Sequence, residues 1–336
     1  MCLASLANSG HDGLMHAIAV SPPAGPGERP VLSLTEAPTP EPGPGEVLIE
    51  VHAAGVNRAD LLQATGSYPP PPGASPILGL ECAGVVTGLG DGVDPALLGT
   101  PTSALLDGGG YAEYAVAPAS QLLPVTDPAD MPRAAALPEA LATAWFNLIQ
   151  IAHLRAGQSV LIQGGSGGVG HVAIKLARLV GADVLTTVGA PWKGERCRDL
   201  GADVVIDYHD DVPTAVLAAT GGRGVDVILD VLGAGALADN LRMLAPHGQL
   251  AIIGLQQGRR AEIDLGQLLS RRVTVHGSTL RARTRAEKAA ILAAAAAYAP
   301  YIEPAVHAVV PLRRAGEAHA LMDEPGTFGK VVLQVR

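Results

Sequence analysis

The chain has 336 residues, a formal net charge of −9, and a content of 48% hydrophobic and 16% charged residues. This content is too apolar for a disordered chain, and the length allows two domains with cores of their own. The negative charge argues against binding to nucleic acid or to an anionic membrane surface.

Residues 1–14 lack the basic start and apolar block of a secretory signal, and they predict a loose extension. No apolar run is long enough to predict a membrane-spanning helix. The three cysteines, Cys2, Cys82 and Cys197, form no C-x-x-C pair and cannot build a disulfide framework. We therefore expect a reduced, cytoplasmic setting, with Cys82 as a small core residue.

The first part of the folded chain, from Met15 to about residue 125, is rich in β-forming residues, glycine and proline. Alternating and apolar runs separated by glycine-rich and Pro-Gly turns are typical of short strands. The predicted strands cover residues 16–20, 47–53, 82–86 and 111–116. This part predicts a compact β-rich domain without a parallel sheet.

Strands and helices alternate in the part that follows. Strands are predicted at residues 160–162, 184–188, 204–206, 225–230, 249–253 and 273–277. Helices are predicted within residues 132–154 and at 195–200, 237–244 and 286–299. This alternation predicts a parallel sheet covered on both faces. The terminal strand, Lys330–Val335, is expected to return to the β-rich domain.

A glycine cluster lies between the strand-like run at residues 160–162 and an apolar helical pattern. Gly165, Gly167 and Gly170 fit G-x-G-x-x-G in the strand–turn–helix context that this motif requires. The glycines allow the turn, the approach of a diphosphate and close helix packing, and the helix start favours an anion. An ordinary glycine-rich turn is the alternative interpretation.

The residues after the second strand indicate which dinucleotide binds. An NAD site of this type has an acidic residue there, but residues 187–190 contain none, and Lys193 follows. A small residue and a cation suit a 2′-phosphate, which Tyr208 could also reach, while Trp192 could flank the adenine. We therefore predict NADPH over NADH. The alternative is that Lys193 is a solvated lysine at a helix start.

Seven motifs run through the chain, at residues 55–60, 66–73, 77–84, 165–170, 200–203, 253–255 and 329–332. With them the chain resembles the medium-chain dehydrogenase/reductase superfamily, and most of all its zinc-free NADPH:quinone oxidoreductases related to zeta-crystallin. The resemblance implies an α/β fold with a GroES-like β-rich catalytic domain, residues 15–137 and 284–336. It also implies an inserted Rossmann doubly wound parallel-sheet domain, residues 138–283, and a homodimer paired through the sheet edge at residues 273–277.

Differences from the zinc-dependent members of this superfamily indicate whether a metal is bound and which reaction is favoured. Those enzymes carry Cys where this chain has Asn57, and His where it has Leu80. Neither residue replaces a thiolate or an imidazole as a zinc ligand, and the four-cysteine structural zinc lobe is missing. We therefore predict no metal. Without a Lewis acid, reduction of an electron-poor quinone or enone is favoured over oxidation of an alcohol.

The resemblance implies the site residues. Asn57 would lie beside the nicotinamide and substrate, and Tyr68 would donate a hydrogen bond to the acceptor oxygen. Cofactor binding is implied for Asn57, Thr143, Gly165, Ser166, Gly167, Gly168, Val169, Gly170, Gly189, Lys193, Tyr208, Gly233, Ala234, Ile253, Gly254, Leu255, Ser278, Thr279 and Leu280. Tyr68 has an equally weighted alternative as an amphipathic residue at the loop mouth. Arg58 excludes the second aromatic proton donor of related enoyl reductases, and Glu81 is expected to support structure.

Three functions stay open at this point. The first is an NADPH-dependent quinone reductase, and the second is an enoyl-thioester or enone reductase. The third is an NADPH-binding protein with little turnover. A carrier-bound thioester would need a basic patch, and the nearest candidates, Arg281, Arg283 and Arg285, are expected to form a solvated face.

Overall fold

The computed structural model describes residues 13–23, 25, 27–125 and 127–336. The predicted loose extension therefore lies outside the described residues except for Gly13 and Leu14, and Cys2 lies outside them. The first strand begins at Leu14, one residue before the predicted start of the folded domain.

Strands and helices are numbered here along the described chain. The strands are β1 Leu14–Ser21, β2 Val31–Pro38, β3 Glu46–Gly55, β4 Glu81–Leu89, β5 Pro101–Leu105, β6 Tyr114–Pro118, β7 Leu122–Pro124, β8 Ser159–Ile162, β9 Asp183–Val188, β10 Val204–Asp207, β11 Val225–Asp230, β12 Leu244–Ile252, β13 Thr274–Gly277, β14 Val306–Pro311 and β15 Lys330–Gln334. The helices are α1 Arg58–Ala64, α2 Met131–Ala135, α3 Pro138–Trp145, α4 Gly170–Val180, α5 Pro191–Asp199, α6 Val212–Ala219, α7 Leu237–Met243, α8 Leu265–Arg271, α9 Arg285–Ala295 and α10 Ala315–Leu321. A π-helical segment, Phe146–Ile151, continues α3.

A mixed sheet forms the β-rich part of the molecule. In the described residues its strand order is β14-β15-β3-β4-β5-β7, and β6 also pairs with β3. Only β14 and β15 pair in parallel, while β3, β4, β5, β6 and β7 pair with their neighbours antiparallel. The last strand thus joins the sheet that the first part of the chain builds, as predicted.

A parallel sheet forms the second part, in the order β10-β9-β8-β11-β12-β13. Its central strand β8 is buried along its whole length. Val160 and Ile162 pack into one apolar cluster with α4 and α9, and Leu161 packs into another with α6 and α7. Helices therefore cover both faces, which confirms the predicted doubly wound fold.

Some predicted elements differ from the structure. The strand predicted at residues 111–116 begins only at Tyr114, because the Tyr111 backbone instead pairs with Leu78 and Ile18. Helix α5 starts at Pro191, four residues before the prediction, since proline fits the first helical turn. The residue bounds of the two predicted domains remain predictions.

Candidate active site between the two sheets

The glycine-rich loop connects β8 to α4. A Cβ added at Gly165 would lie 2.1 Å from Thr186 Oγ1, and one at Gly170 would lie 2.2 Å from the Gly164 carbonyl oxygen. Glycine is therefore required at both positions so that the loop and the helix start can pack against the sheet. Gly329 donates its N–H to the Ser166 carbonyl at 2.8 Å, which ties the loop to the residue before β15.

Gly189, Lys193 and Tyr208 lie around the ends of β9 and β10. A Cβ at Gly189 would lie 2.1 Å from the Tyr208 hydroxyl, so the phenol covers this glycine closely. Lys193 is 9% exposed and has no ion pair with any described residue, and burial lowers its pKa. The alternative of a solvated lysine is therefore wrong. Trp192 packs beside Phe328, at 6.3 Å between ring centroids.

Asn57 lies at the start of α1 and is held on both sides. Its side-chain oxygen accepts a hydrogen bond from Lys330 Nζ at 2.5 Å, and its amide nitrogen donates to Glu81 Oε1 at 2.9 Å. Because an ammonium only donates and a carboxylate only accepts, these partners fix the orientation of the amide. The Asn57 backbone N–H donates to buried Asp60 at 2.8 Å, which anchors the helix start.

Lys330 and Glu81 form a buried ion pair. Their side chains are 2% and 0% exposed, and Nζ lies 2.6 Å from Glu81 Oε1. The Lys330 stem passes the glycine-rich loop, since a Cβ at Gly168 would lie 2.9 Å from its Cδ. A Cβ at Gly55 would lie 2.2 Å from Glu81 Oε1, which explains the glycine that opens this motif.

Glu139 and Thr143 adjoin this cluster on α3. The Glu139 backbone N–H donates to Glu81 Oε2 at 2.9 Å, and the Thr143 hydroxyl donates to Glu139 Oε1 at 2.9 Å. Sequence reasoning assigned no role to Glu139 or Lys330. The available signal at Lys330 was a charged residue in the motif at residues 329–332, which is otherwise apolar or small.

Tyr68 lies half-buried beside Arg281, whose guanidinium carbon is 5.6 Å from the phenol ring centroid. Burial raises the pKa of Tyr68, and Arg281 opposes that rise while Glu139 and Asp107 add to it. Arg281 is 6% exposed and donates to the Asp107 carbonyl through Nε at 2.9 Å and Nη2 at 2.5 Å.

The prediction that these arginines form a solvated face is therefore wrong for Arg281, whose side chain is buried and bonded to the Asp107 carbonyl. Arg283 lies over the Phe146 ring and pairs with Glu287, and Arg285 donates to the Gly45 carbonyl at 2.6 Å. Each of the three guanidinium groups has a contact within the described chain, and Arg281 Nη1 is buried without a hydrogen-bond partner there.

The remaining predicted cofactor residues follow β11, β12 and β13. Several of their N–H groups are bonded within the protein: Gly233 to Asp230, Ala234 to Gly258, Ile253 to Asp230 and Ser278 to Ile252. Contacts of these four residues with a cofactor would therefore run through carbonyl or side-chain groups. Leu280 is buried, whereas Leu255 and Thr279 are exposed. The backbone N–H groups of Gly254, Leu255 and Thr279 remain predicted contacts.

A glycine-rich loop on a parallel sheet, facing a buried polar cluster on a second sheet, is typical of a nicotinamide-dependent oxidoreductase. Two family models match: an alcohol dehydrogenase GroES-like domain at residues 43–127 and a zinc-binding dehydrogenase at residues 168–296. A quinone oxidoreductase of Rattus norvegicus is 30% identical over 326 residues, 95% of this chain and 98% of that protein. The chain belongs to the medium-chain dehydrogenase/reductase superfamily, in its quinone oxidoreductase-like branch.

Two further similarities bear on cofactor and substrate. A mycobacterial protein whose structure was solved with NADPH is 34% identical, with a TM-score of 0.84 over 96% of this chain and 100% of that chain. A phthioceranic/hydroxyphthioceranic acid synthase of Mycobacterium tuberculosis is 38% identical over 231 residues, 68% of this chain. The chain covers 11% of the length of that synthase.

Two kinds of feature are absent from the described residues. None of the helices there is both long and apolar enough to cross a membrane. In the same part of the chain, no group of three or more His, Cys, Asp or Glu side chains is arranged to hold a metal ion.

Proposed function

We propose that the protein is an NADPH-dependent, zinc-independent oxidoreductase that transfers hydride to a quinone. The observation that carries this proposal is the buried Lys330 ammonium, which contacts Asn57 and Glu81. Asn57 occupies the position of a zinc ligand in the zinc-dependent relatives, and Leu80, at the place of a second, is buried and apolar. A metal ion at Asn57 would be repelled by the Lys330 ammonium. This ammonium already occupies the position beside the Asn57 oxygen that a metal ion would need.

The choice of NADPH rests on Lys193. This lysine is buried without a carboxylate partner in the described part of the chain, so an anionic group would relieve an uncompensated charge. The NADPH-bound mycobacterial relative supports the same choice. The glycine-rich loop leads into the N-terminus of α4, where an anion is favoured, and we assign Gly165, Ser166, Gly167, Gly168, Val169 and Gly170 to the diphosphate.

When bound, the reduced nicotinamide supplies a hydride. This chain would orient the acceptor beside Asn57, Thr143 and Tyr68. Asn57 keeps one amide hydrogen beyond its bond to Glu81, and the Tyr68 phenol offers a second hydrogen-bond donor. Both groups would hold an acceptor oxygen and thereby fix the reacting carbon.

A carrier-bound enoyl thioester or free enone is the second candidate substrate, and the identity to the mycobacterial synthase favours it. Arg281, Arg283 and Arg285 already contact other groups, so a carrier phosphate would have to compete with these contacts. This favours a small quinone over a carrier-bound thioester. An NADPH-binding protein with little turnover is the third candidate.

The test is NADPH oxidation with a panel of quinones, simple enones and enoyl thioesters. Quinone turnover that exceeds thioester turnover in kcat/KM supports the proposal. Preference for thioesters favours the second candidate, and tight NADPH binding without any turnover favours the third.

A further inference from the structure

Arg196, on α5, lies over an aromatic ring that precedes β15. Its guanidinium carbon is 4.0 Å from the centroid of the Phe328 ring, within the range of a cation–π contact. Phe328 is only 1% exposed, so its ring is fixed by packing, whereas Arg196 is an exposed residue. The buried ring therefore holds the guanidinium in place while solvent can still reach it.

The guanidinium of Arg196 has no polar partner in the described chain. None of its N–H groups donates a hydrogen bond to a described residue, and no carboxylate there forms an ion pair with it. A planar guanidinium with free donors can bind a phosphate through two parallel hydrogen bonds. Arg196 thus has both the donors and the fixed position that a phosphate ligand needs.

Phe328 places Arg196 between the two helices proposed to bind the dinucleotide. Its ring centroid lies 6.4 Å from that of His171, in the first turn of α4, and 6.3 Å from that of Trp192, in the first turn of α5. The residue after Phe328 donates its N–H to the glycine-rich loop at 2.8 Å. The ring on which Arg196 lies therefore packs against the starts of both helices.

Lys193 precedes Arg196 by one helical turn on α5. Residues three apart are neighbours on a helix surface, so the two cations lie close together. Both contact the same aromatic pair: Lys193 Nζ lies 5.5 Å from the Trp192 ring centroid, and Trp192 packs against Phe328. Two unpaired positive charges favour a ligand group with more than one negative charge. A phosphate monoester carries about −1.5 to −2 charges at pH 7, more than either phosphorus of a bridging diphosphate.

We propose that Arg196 is a second ligand of the 2′-phosphate of NADPH, beside Lys193, a role that rests on the proposed use of NADPH. The guanidinium donates to two phosphate oxygens, and the Lys193 ammonium adds a second positive charge. Phe328 is a positioning residue, since it holds the guanidinium without contacting the phosphate. Discrimination between NADPH and NADH then depends on residues from two segments that lie far apart in the sequence.

The test is Arg196→Ala, with the affinities for NADPH, NADH and adenosine 2′-phosphate measured by calorimetry. We expect NADPH and adenosine 2′-phosphate to bind about tenfold more weakly or worse, because charge-assisted hydrogen bonds are lost, and NADH to stay within about twofold. Phe328→Leu should cause a smaller loss of NADPH affinity, again with little effect on NADH. Arg198→Ala is the matched control, because it removes an equal charge from the opposite face of α5.

Two results would overturn the assignment. One is an Arg196→Ala variant with the wild-type ratio of NADPH to NADH affinity, which would leave the Phe328 contact a purely structural tie. The other is an equal loss for NADPH and NADH, which would place Arg196 at the diphosphate. If Arg196→Ala does not fold, Arg196→Gln decides, since it removes the charge and keeps most of the stem over Phe328. A wild type without a preference for NADPH would overturn the proposed cofactor as well, before any variant is compared.

Discussion

His171 shows how a single buried side chain links the glycine-rich loop to the second sheet. It is fully buried on α4, its Nε2 accepts the Ala305 N–H at 3.0 Å, and its Nδ1 therefore carries the proton that bonds the Gly167 carbonyl at 2.8 Å. A second proton, on Nε2, would remove the acceptor of the Ala305 N–H and place two donors against each other. Burial lowers the pKa of His171 from 6.5 to about 4.

This neutral histidine predicts acid sensitivity. Neutral His171 makes its full contribution to stability above pH 6.5. This contribution is lost as pH falls towards 4, because the histidine of the unfolded chain takes up a proton at a higher pH than the buried one. Wild type should lose about 2–3 kcal/mol more than His171→Gln between about pH 7 and about pH 4.5, measured by urea unfolding. His307→Gln, at an exposed histidine, is the control. Equal losses in wild type and His171→Gln would contradict the prediction.

We also propose, at the scale of residues, that Lys193 determines the preference for NADPH. Lys193→Ala should weaken NADPH binding about tenfold or more, since a charge-assisted hydrogen bond to the 2′-phosphate is lost, and should leave NADH binding nearly unchanged. Fluorescence titration of the reduced cofactors measures both affinities. Lys175→Ala, on the neighbouring helix α4, is the control. An equal loss of affinity for NADPH and NADH would contradict the assignment of Lys193 to the 2′-phosphate.

At the scale of elements, β15 joins the two halves of the molecule. It pairs with β3 and β14 in one sheet, the residue before it bonds the glycine-rich loop, and its first residue is Lys330. Removal of one partner from a buried ion pair leaves the other charge uncompensated. The position of Asn57 therefore depends on β15, which lies more than 270 residues further along the chain.

Lys330→Met should therefore lower the free energy of unfolding by about 3–5 kcal/mol, because Glu81 then stays buried without a cation. Denaturant unfolding measures the loss. The double variant Lys330→Met/Glu81→Gln should recover a large part of it, since the unpaired charge is gone. If the double variant is as unstable as the single one, the ion pair is not the cause.

The parallel sheet was predictable from the sequence because most of its strands contain a short apolar run bounded by turn residues or glycine. β11 was predicted with its observed bounds, Val225–Asp230. Strands such as β2, with mostly exposed residues, and β14, with weak alternation, give no comparable pattern. Their pairing depends on partners distant in the chain.

The candidate site was predictable only in part. The glycine-rich loop and Lys193 follow local patterns, whereas the contacts of Asn57 with Lys330 and Glu81 join three separate segments. Burial of Arg281 was also missed, because its carbonyl partner lies 174 residues away in sequence. Long-range polar contacts of this kind leave no periodic signal in one sequence.

For the whole molecule, we propose a homodimer formed through β13. This strand is one of the two edges of the parallel sheet in the described chain, and nearby apolar side chains are exposed: Leu265 62%, Leu269 79% and Val275 37%. An unpaired edge with exposed apolar groups is suited to pairing with a second copy.

Light scattering after size exclusion should give a dimer for the wild type and a monomer for Val275→Lys, since the charge opposes edge pairing. Val309→Lys, at an exposed valine on β14 at the edge of the other sheet, should remain a dimer. A monomeric wild type would refute the proposed assembly.

In the proposed reaction, hydride passes from NADPH to a quinone in a site where an ammonium, and not a metal ion, lies beside Asn57. Turnover of NADPH with a quinone, measured on a sample whose zinc content is determined by elemental analysis, tests it most directly. We predict full activity with far less than one zinc per chain, unchanged by a chelator. Activity that rises in proportion to bound zinc would contradict the account.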